Sequence, residues 1–210
     1  MKPLSEDHLA ILRRHMVEVI DIEFDVMSEE IGRSRLRSDV RAALLEVPRH
    51  QFVPEQIAAI AYQDRPLPIG FDKTISQPFL AALMIELMDV QPGDTVFEVG
   101  TGLGYQAALL AELAGEVWTM EVVEEFATFA SAHLAGMAYR NISVRQGDGS
   151  RGWPEAAPFD AILVTAAARE IPMTLAQQLK PGGRMVMPLG VDDEQRLVRI
   201  ERGTTDLTVQ

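Results

Sequence analysis

The sequence contains no cysteine, which excludes disulfides, thiolate metal sites and cysteine nucleophiles. Positive charge is scarce: nineteen Lys and Arg stand against thirty-one Asp and Glu, a formal charge of −12, so no surrounding field draws nucleic acid to the chain. The one local basic cluster, Arg33, Arg35, Arg37 and Arg41, sits among acidic neighbours and is expected to be a solvated helix face. No run approaches the ~18–20 apolar residues of a membrane span. Met1–Asp25 carries charge in every turn and lacks the apolar stretch of a secretory signal. The expected compartment is therefore the cytoplasm, with no membrane partner. Histidine is sparse too: His8, His15, His50 and His133 are expected to be surface or core residues, and no metal site is expected. No internal repeat or low-complexity linker divides the chain.

What is present is core. With 47% hydrophobic residues in 210, the chain supports a single α/β domain over 1–210. Its first sixty residues form a helical extension: Leu9, Leu12, Met16 and Ile20, then Leu36, Val40, Leu44 and Val47, fall at helical spacing until Pro48 and Pro54 break the pattern. Residues 62–77 carry two prolines and a glycine without a helical stripe, and predict a long extended loop. Leu80, Leu83, Met84, Leu87 and Met88 predict a helix opening at Pro78. From there to 210 the pattern is that of an α/β core. Strands are expected at Thr95–Val99, Glu116–Met120, Ile142–Arg145, Phe159–Thr165 and Arg184–Pro188, with helices between the earlier ones. Alternation of short apolar strands with helices implies parallel units and right-handed crossovers. Arg196–Ile200 and Leu207–Val209 flank a turn and predict an antiparallel hairpin. The expected fold is a doubly wound, Rossmann-like sheet with an antiparallel C-terminal edge and N-terminal helices.

The most specific local signal is the strand Val96–Val99 running into Gly100-Thr101-Gly102-Leu103-Gly104 and then a helix. Such glycines let backbone approach a ligand and aim N–H groups at it. Gly102-x-Gly104-x-x-Ala107, with Glu121 about twenty residues beyond the turn, also satisfies a dinucleotide fingerprint. Glu98 favours S-adenosylmethionine instead. A carboxylate at that strand end repels a pyrophosphate and suits a ligand bearing an ammonium and a sulfonium. Glu121 ends the second strand, where it suits a pair of ribose hydroxyls, and Asp148, between Gly147 and Gly149, follows the third and suits an adenine amine.

These residues carry a family resemblance. Val47-Pro48-Arg49-His50-Gln51-Phe52-Val53-Pro54, Leu67-Pro68-Ile69-Gly70, Thr74-Ile75-Ser76-Gln77-Pro78, Glu98-Val99-Gly100-Thr101-Gly102, Gly147-Asp148-Gly149, Gly152-Trp153-Pro154, Pro158–Ile162 and Thr165–Ala168 resemble the protein-L-isoaspartate O-methyltransferases. The Thr-Ile-Ser-Gln-Pro segment is particular to that family. The resemblance implies methyl transfer from S-adenosylmethionine to isoaspartyl residues of peptides and proteins, leaving S-adenosylhomocysteine. It implies that Ser76 holds the substrate carboxylate and that Ile69, Gly70, Thr74 and Ile75 line the substrate, the loop also touching cofactor. It assigns the cofactor to Glu98, Gly100, Thr101, Gly102, Gly104, Glu121, Val122, Gly147, Asp148, Gly149 and Thr165. Ser76 also stands where it would cap the helix beginning near Pro78. Trp153 is expected to pack the domain rather than stack on a ligand.

The chain departs from the family pattern at Leu103, a common serine position, at Asp72-Lys73, and at Arg169, a usual proline position; the pattern also has a further strand after the final hairpin. Two alternatives follow: a related carboxyl methyltransferase with another peptide substrate, or a cofactor-binding relative without transfer.

Overall fold

The computed structural model describes residues 4–191 and 194–210, so the first three residues of the expected helical extension lie outside the described residues. The chain divides into two compact units, Met1–Glu86 and Leu87–Gln210.

In the first unit, α1 (Glu6–Val26) is capped by the Ser5 hydroxyl and buries Leu9, Met16, Val17, Ile20 and Phe24 at the predicted helical spacing. A short α2 (Ser28–Ile31) ends at Gly32, and α3 (Ser38–Glu46) follows. Pro48 and Pro54 do end the α-helical run, but the chain beyond each coils into a tighter single turn, Arg49–Phe52 and Glu55–Ile60. The arginine cluster is not one solvated helix face: Arg33, Arg35 and Arg37 lie in the segment between α2 and α3, and Arg33 bonds the buried Glu86, Arg37 bonds Asp39, and Arg41 of α3 bonds Asp21 at 2.9 Å.

The expected loop at 62–77 contains an antiparallel hairpin, β1 (Leu67–Gly70) and β2 (Lys73–Ile75), with Leu67 opposite Ile75 and Pro68 opposite Thr74. Leu67, Ile69 and Ile75 point inward while Pro68, Gly70 and Thr74 are exposed, the period-two pattern of a half-buried ribbon. The prolines disguise it because Pro66 and Pro68 occupy positions a two-stranded ribbon tolerates. Its two-residue turn is Phe71-Asp72, both at positive φ, 50° and 54°. The helix α4 (Pro78–Met88) follows, and Phe79 meets Phe24 edge to face with centroids 5.5 Å apart.

The second unit contains β3 (Thr95–Val99), α5 (Tyr105–Ala111), β4 (Glu116–Glu121), α6 (Glu124–Gly136), β5 (Ile142–Gln146), β6 (Phe159–Val164), α7 (Met173–Ala176), β7 (Leu179–Leu189), β8 (Arg196–Arg202) and β9 (Leu207–Val209). The strands order as β5-β4-β3-β6-β7-β8-β9. Pairing is parallel through β7 and antiparallel at β7–β8 and β8–β9. This is the expected mixed sheet. β7 starts five residues earlier than predicted, since Lys180-Pro181-Gly182-Gly183 reads as a turn but forms an irregularity between the Phe159–Leu179 and Ala161–Arg184 pairs. Phe97 stacks on Phe159 at 5.2 Å within a core that includes Ile162, Leu179, Met185 and Met187. Trp153 is core as expected: it is buried, meets Trp118 edge to face at 4.9 Å, and carries the Arg145 guanidinium 3.9 Å above its ring. No helix among the described residues is long and apolar enough to cross a membrane.

Candidate functional site

In the Leu87–Gln210 unit the chain leaves β3 for β4 and β5 on one side, then returns to β6 on the other. The reversal makes a crevice at the carboxyl ends of the strands. The glycine turn occupies that place. Gly100 and Gly104 both hold φ near +98°, at 97° and 99°, and the Gly100 N–H donates to the Met120 carbonyl at 2.9 Å. Thr165, at the end of β6, braces the turn: its hydroxyl donates towards the carbonyls of Val99 and Gly100, at 3.0 and 3.2 Å. A Cβ at Gly100 would lie 2.3 Å from the Thr165 hydroxyl, so sterics and φ both reserve the position for glycine.

Beneath the turn runs a polar line that sequence patterning missed. The Thr119 hydroxyl donates to Glu98 Oε2 at 2.5 Å and lies 2.6 Å from the Thr101 hydroxyl. Glu98 is fully buried, and among the described residues its Oε1 has no partner. Burial pushes its carboxyl up to about 8, opposed by the Thr119 bond and aided by the charge of Glu121. Burial thus favours the protonated form of Glu98, and a cation arriving at the edge would favour its carboxylate. Thr119 could not have been found from the sequence, because a lone threonine in a strand gives no sign of what lies beside it.

Glu121 closes β4 with one oxygen accepting from the Gly102 N–H at 2.8 Å and the other from the Val123 N–H at 3.0 Å. Each oxygen keeps a further lone pair for a ligand hydroxyl. Val122 beside it is exposed, and the Gly147 N–H donates to the Glu121 carbonyl at 2.8 Å. Asp148 is exposed, and bonds from the Ser150 hydroxyl and N–H, with the charge of Arg151, hold its carboxyl below the usual range. Gly149 is buried against Val99, where a Cβ would approach to 2.6 Å.

The two edges of the sheet differ in charge. At the amino edge Asp160 pairs with Lys180 at 2.7 Å and Asp94 with Arg184 at 3.3 Å. At the carboxyl edge, among the described residues, Glu98 and Glu121 pair with no cation, and Asp148 meets the exposed Arg151 at 3.4 Å. A pyrophosphate would be repelled there, whereas a ligand with hydroxyls and positive charge is complementary. The buried, singly bonded Glu98 and the cradle at Gly100 both fit S-adenosylmethionine. A separate cleft of about 400 Å³ lies between α7 and the β8–β9 turn, bordered by Met173, Gln177, Arg202 and Asp206; no expected site residue lines it. Among the described residues no cluster of three His, Asp or Glu side chains is placed to hold a metal ion.

In the Met1–Glu86 unit, Ser76 lies between β2 and α4 and is half-buried. Ile69 and Ile75 are buried; Gly70 and Thr74 are exposed. Ser76 does not cap α4. The Phe79 N–H is taken by Asp64 Oδ1 at 2.8 Å, and Asp64 Oδ2 accepts from the Gln77 amide at 2.5 Å. The Ser76 carbonyl accepts from the buried Arg49 at 2.6 Å, while among the described residues no group bonds its hydroxyl. Asp64 also faces Glu23 of α1, whose carboxyl is pushed up to about 7 by burial and by the Asp64 charge. Arg49 and Asp64 stood in the sequence without an assignable role.

A family model described as protein-L-isoaspartate(D-aspartate) O-methyltransferase matches residues 24–210. The protein-L-isoaspartate O-methyltransferase 1 of Polaromonas sp. strain JS666 is 46% identical over 203 residues, 97% of this chain and 86% of that protein. A solved protein-L-isoaspartate O-methyltransferase superposes with a TM-score of 0.75 at 28% identity, over 89% of this chain and 61% of its own length. A Plasmodium falciparum protein described as a protein-L-isoaspartate O-methyltransferase, in complex with S-adenosyl-L-homocysteine, gives a TM-score of 0.73 at 25% identity, over 90% of this chain and 92% of its own. The chain belongs to the protein-L-isoaspartate(D-aspartate) O-methyltransferase family.

Proposed function

We propose that the chain transfers a methyl group from S-adenosylmethionine to the side-chain carboxylate of L-isoaspartyl residues in damaged peptides and proteins. The observation that carries the cofactor half is the carboxyl edge, where Glu98, Glu121 and Asp148 surround the glycine turn without a buried cation. When bound, S-adenosylmethionine supplies a methyl carbon activated by a sulfonium. Glu121 would accept from ribose hydroxyls, Asp148 from the adenine amine, and Val122 would cover the ring; Gly100, Thr101, Gly102, Gly104, Gly147 and Gly149 would let the backbone come close, and Thr165 keeps the turn in shape. Glu98 answers the ligand's positive charge from below.

The substrate half rests on Ser76, whose hydroxyl is left to donate to one oxygen of the substrate carboxylate. That carboxylate is ionised at neutral pH, so its other oxygen attacks in line without a general base. The O–CH3 bond forms as the S–CH3 bond breaks, and no proton moves. Catalysis is then alignment, which explains a site without cysteine or an engaged histidine. Ile69, Gly70, Thr74 and Ile75 form the wall on which the peptide rests.

The test is transfer of labelled methyl from S-adenosylmethionine to an isoaspartyl peptide and to its aspartyl twin, read as base-labile label. Label on the isoaspartyl peptide alone is expected. Label on the aspartyl twin would assign another carboxyl substrate. Cofactor binding without label on either would mean that transfer has been lost.

A further inference from the structure

We infer that Arg49 and Asp64 are positioning residues for Ser76, gripping the chain at it and just after it so that its unbonded hydroxyl keeps one direction. This rests on the role proposed for Ser76.

Arg49 is fully buried, and a buried guanidinium is costly unless its donors are used. Two of its bonds go to backbone carbonyls far apart in sequence, Ala61 at 2.8 Å and Ser76 at 2.6 Å. It therefore ties the 61–64 turn to the segment that carries Ser76. Asp64, three residues after Ala61, grips the same segment further along, through the Gln77 side-chain amide and the Phe79 N–H.

A helix cap would need only the Phe79 bond. The carbonyl of Ser76 is not part of the α4 ladder, whose first bond runs from the Ala81 N–H to the Gln77 carbonyl at 2.9 Å, and the Gln77 side chain adds nothing to that ladder. These two extra bonds hold the Ser76 carbonyl and the Gln77 side chain next to it while leaving the Ser76 hydroxyl unengaged. That pattern suits a donor whose partner is a substrate oxygen. It also gives a purpose to the arginine of Val47-Pro48-Arg49-His50, which lies remote in sequence from every other site residue.

The experiment measures kcat, KM for an isoaspartyl peptide and S-adenosylmethionine affinity for Ser76→Ala, Asp64→Asn, Arg49→Lys and Gln77→Ala, and for Asp64→Asn and Arg49→Lys combined with Ser76→Ala. A misplaced reacting group costs roughly 100-fold, so Asp64→Asn and Arg49→Lys are each expected to lower kcat by about that factor with KM and cofactor affinity unchanged. Gln77→Ala removes one bond at a half-buried position where folding is not at stake, and is expected to cost about fivefold in kcat. In the Ser76→Ala background neither substitution should lower kcat further. Equal losses with and without Ser76, or kcat and cofactor affinity falling together, or an unchanged kcat in Gln77→Ala, would overturn the positioning role. Wild-type kcat in Ser76→Ala would instead overturn the reading of Ser76 on which the inference rests.

Discussion

The glycine turn and the Ser76 segment are both pinned lengths of backbone, but by different chemistry. The turn is held by neutral groups, the hydroxyl of Thr165 and the Met120 carbonyl, with Glu121 the one charged contributor. The Ser76 segment is held by the charged groups of Arg49 and Asp64. Neutral bonds around the turn leave its acids to answer a cationic ligand. Charged bonds around Ser76 are stronger, and none of them uses its hydroxyl.

The sharpest way to break this contrast is Ser76→Ala. Loss of a single aligned donor costs about 100-fold or more in turnover, and S-adenosylmethionine affinity measured by calorimetry should stay at the wild-type value. Glu121→Gln tests the other region: loss of the charge-assisted bonds, worth roughly 1.5–3 kcal/mol, should weaken S-adenosylmethionine more than tenfold, while kcat at saturating cofactor changes little. Gly100→Ala probes the neutral brace directly. With a Cβ 2.3 Å from the Thr165 hydroxyl at φ +97°, it should lower stability in denaturant unfolding by about 1–3 kcal/mol, and Thr165→Ala should restore part of that loss.

The remaining test reads pH rather than a single substitution. The folded Glu98 and Glu23 carboxyls sit at about 8 and about 7, raised from the ordinary 4.5 chiefly by burial. Their contribution is complete below about 4.5, where folded and unfolded chains both hold the proton, and is lost as pH rises through the folded values. Stability should therefore fall between pH 5 and 8 on account of these two groups. Glu98→Gln should lower that slope over the whole range up to about pH 8 and Glu23→Gln only up to about pH 7, as read from unfolding midpoints across the range; a slope that neither substitution changes would remove both assignments.

Much of this was legible in the sequence. The amphipathic spacing of α1, the strand–glycine–helix unit at Thr95–Ala111 and the acids at successive strand ends are local patterns, and local patterns survive folding. The roles of Arg49, Asp64 and Thr119 were not legible, since each is defined by partners from 12 to 27 residues away. The hairpin at Leu67–Ile75 was hidden for a different reason: it turns at Phe71-Asp72, not at the Asn-Gly that announces such a turn. The helix-cap role open to Ser76 fell instead to a carboxylate twelve residues upstream.

The Phe71-Asp72 turn has a consequence for engineering this molecule. Two side-chain-bearing residues held in left-handed conformation cost on the order of 1–2 kcal/mol each, a sum that Asn-Gly would largely recover. In return the chain displays an aromatic ring, 57% exposed, and a carboxylate at the tip of the ribbon that leads into Ser76. Asn-Gly at positions 71 and 72 is thus expected to make the ribbon more robust, whereas most other replacements there would keep or deepen the strain.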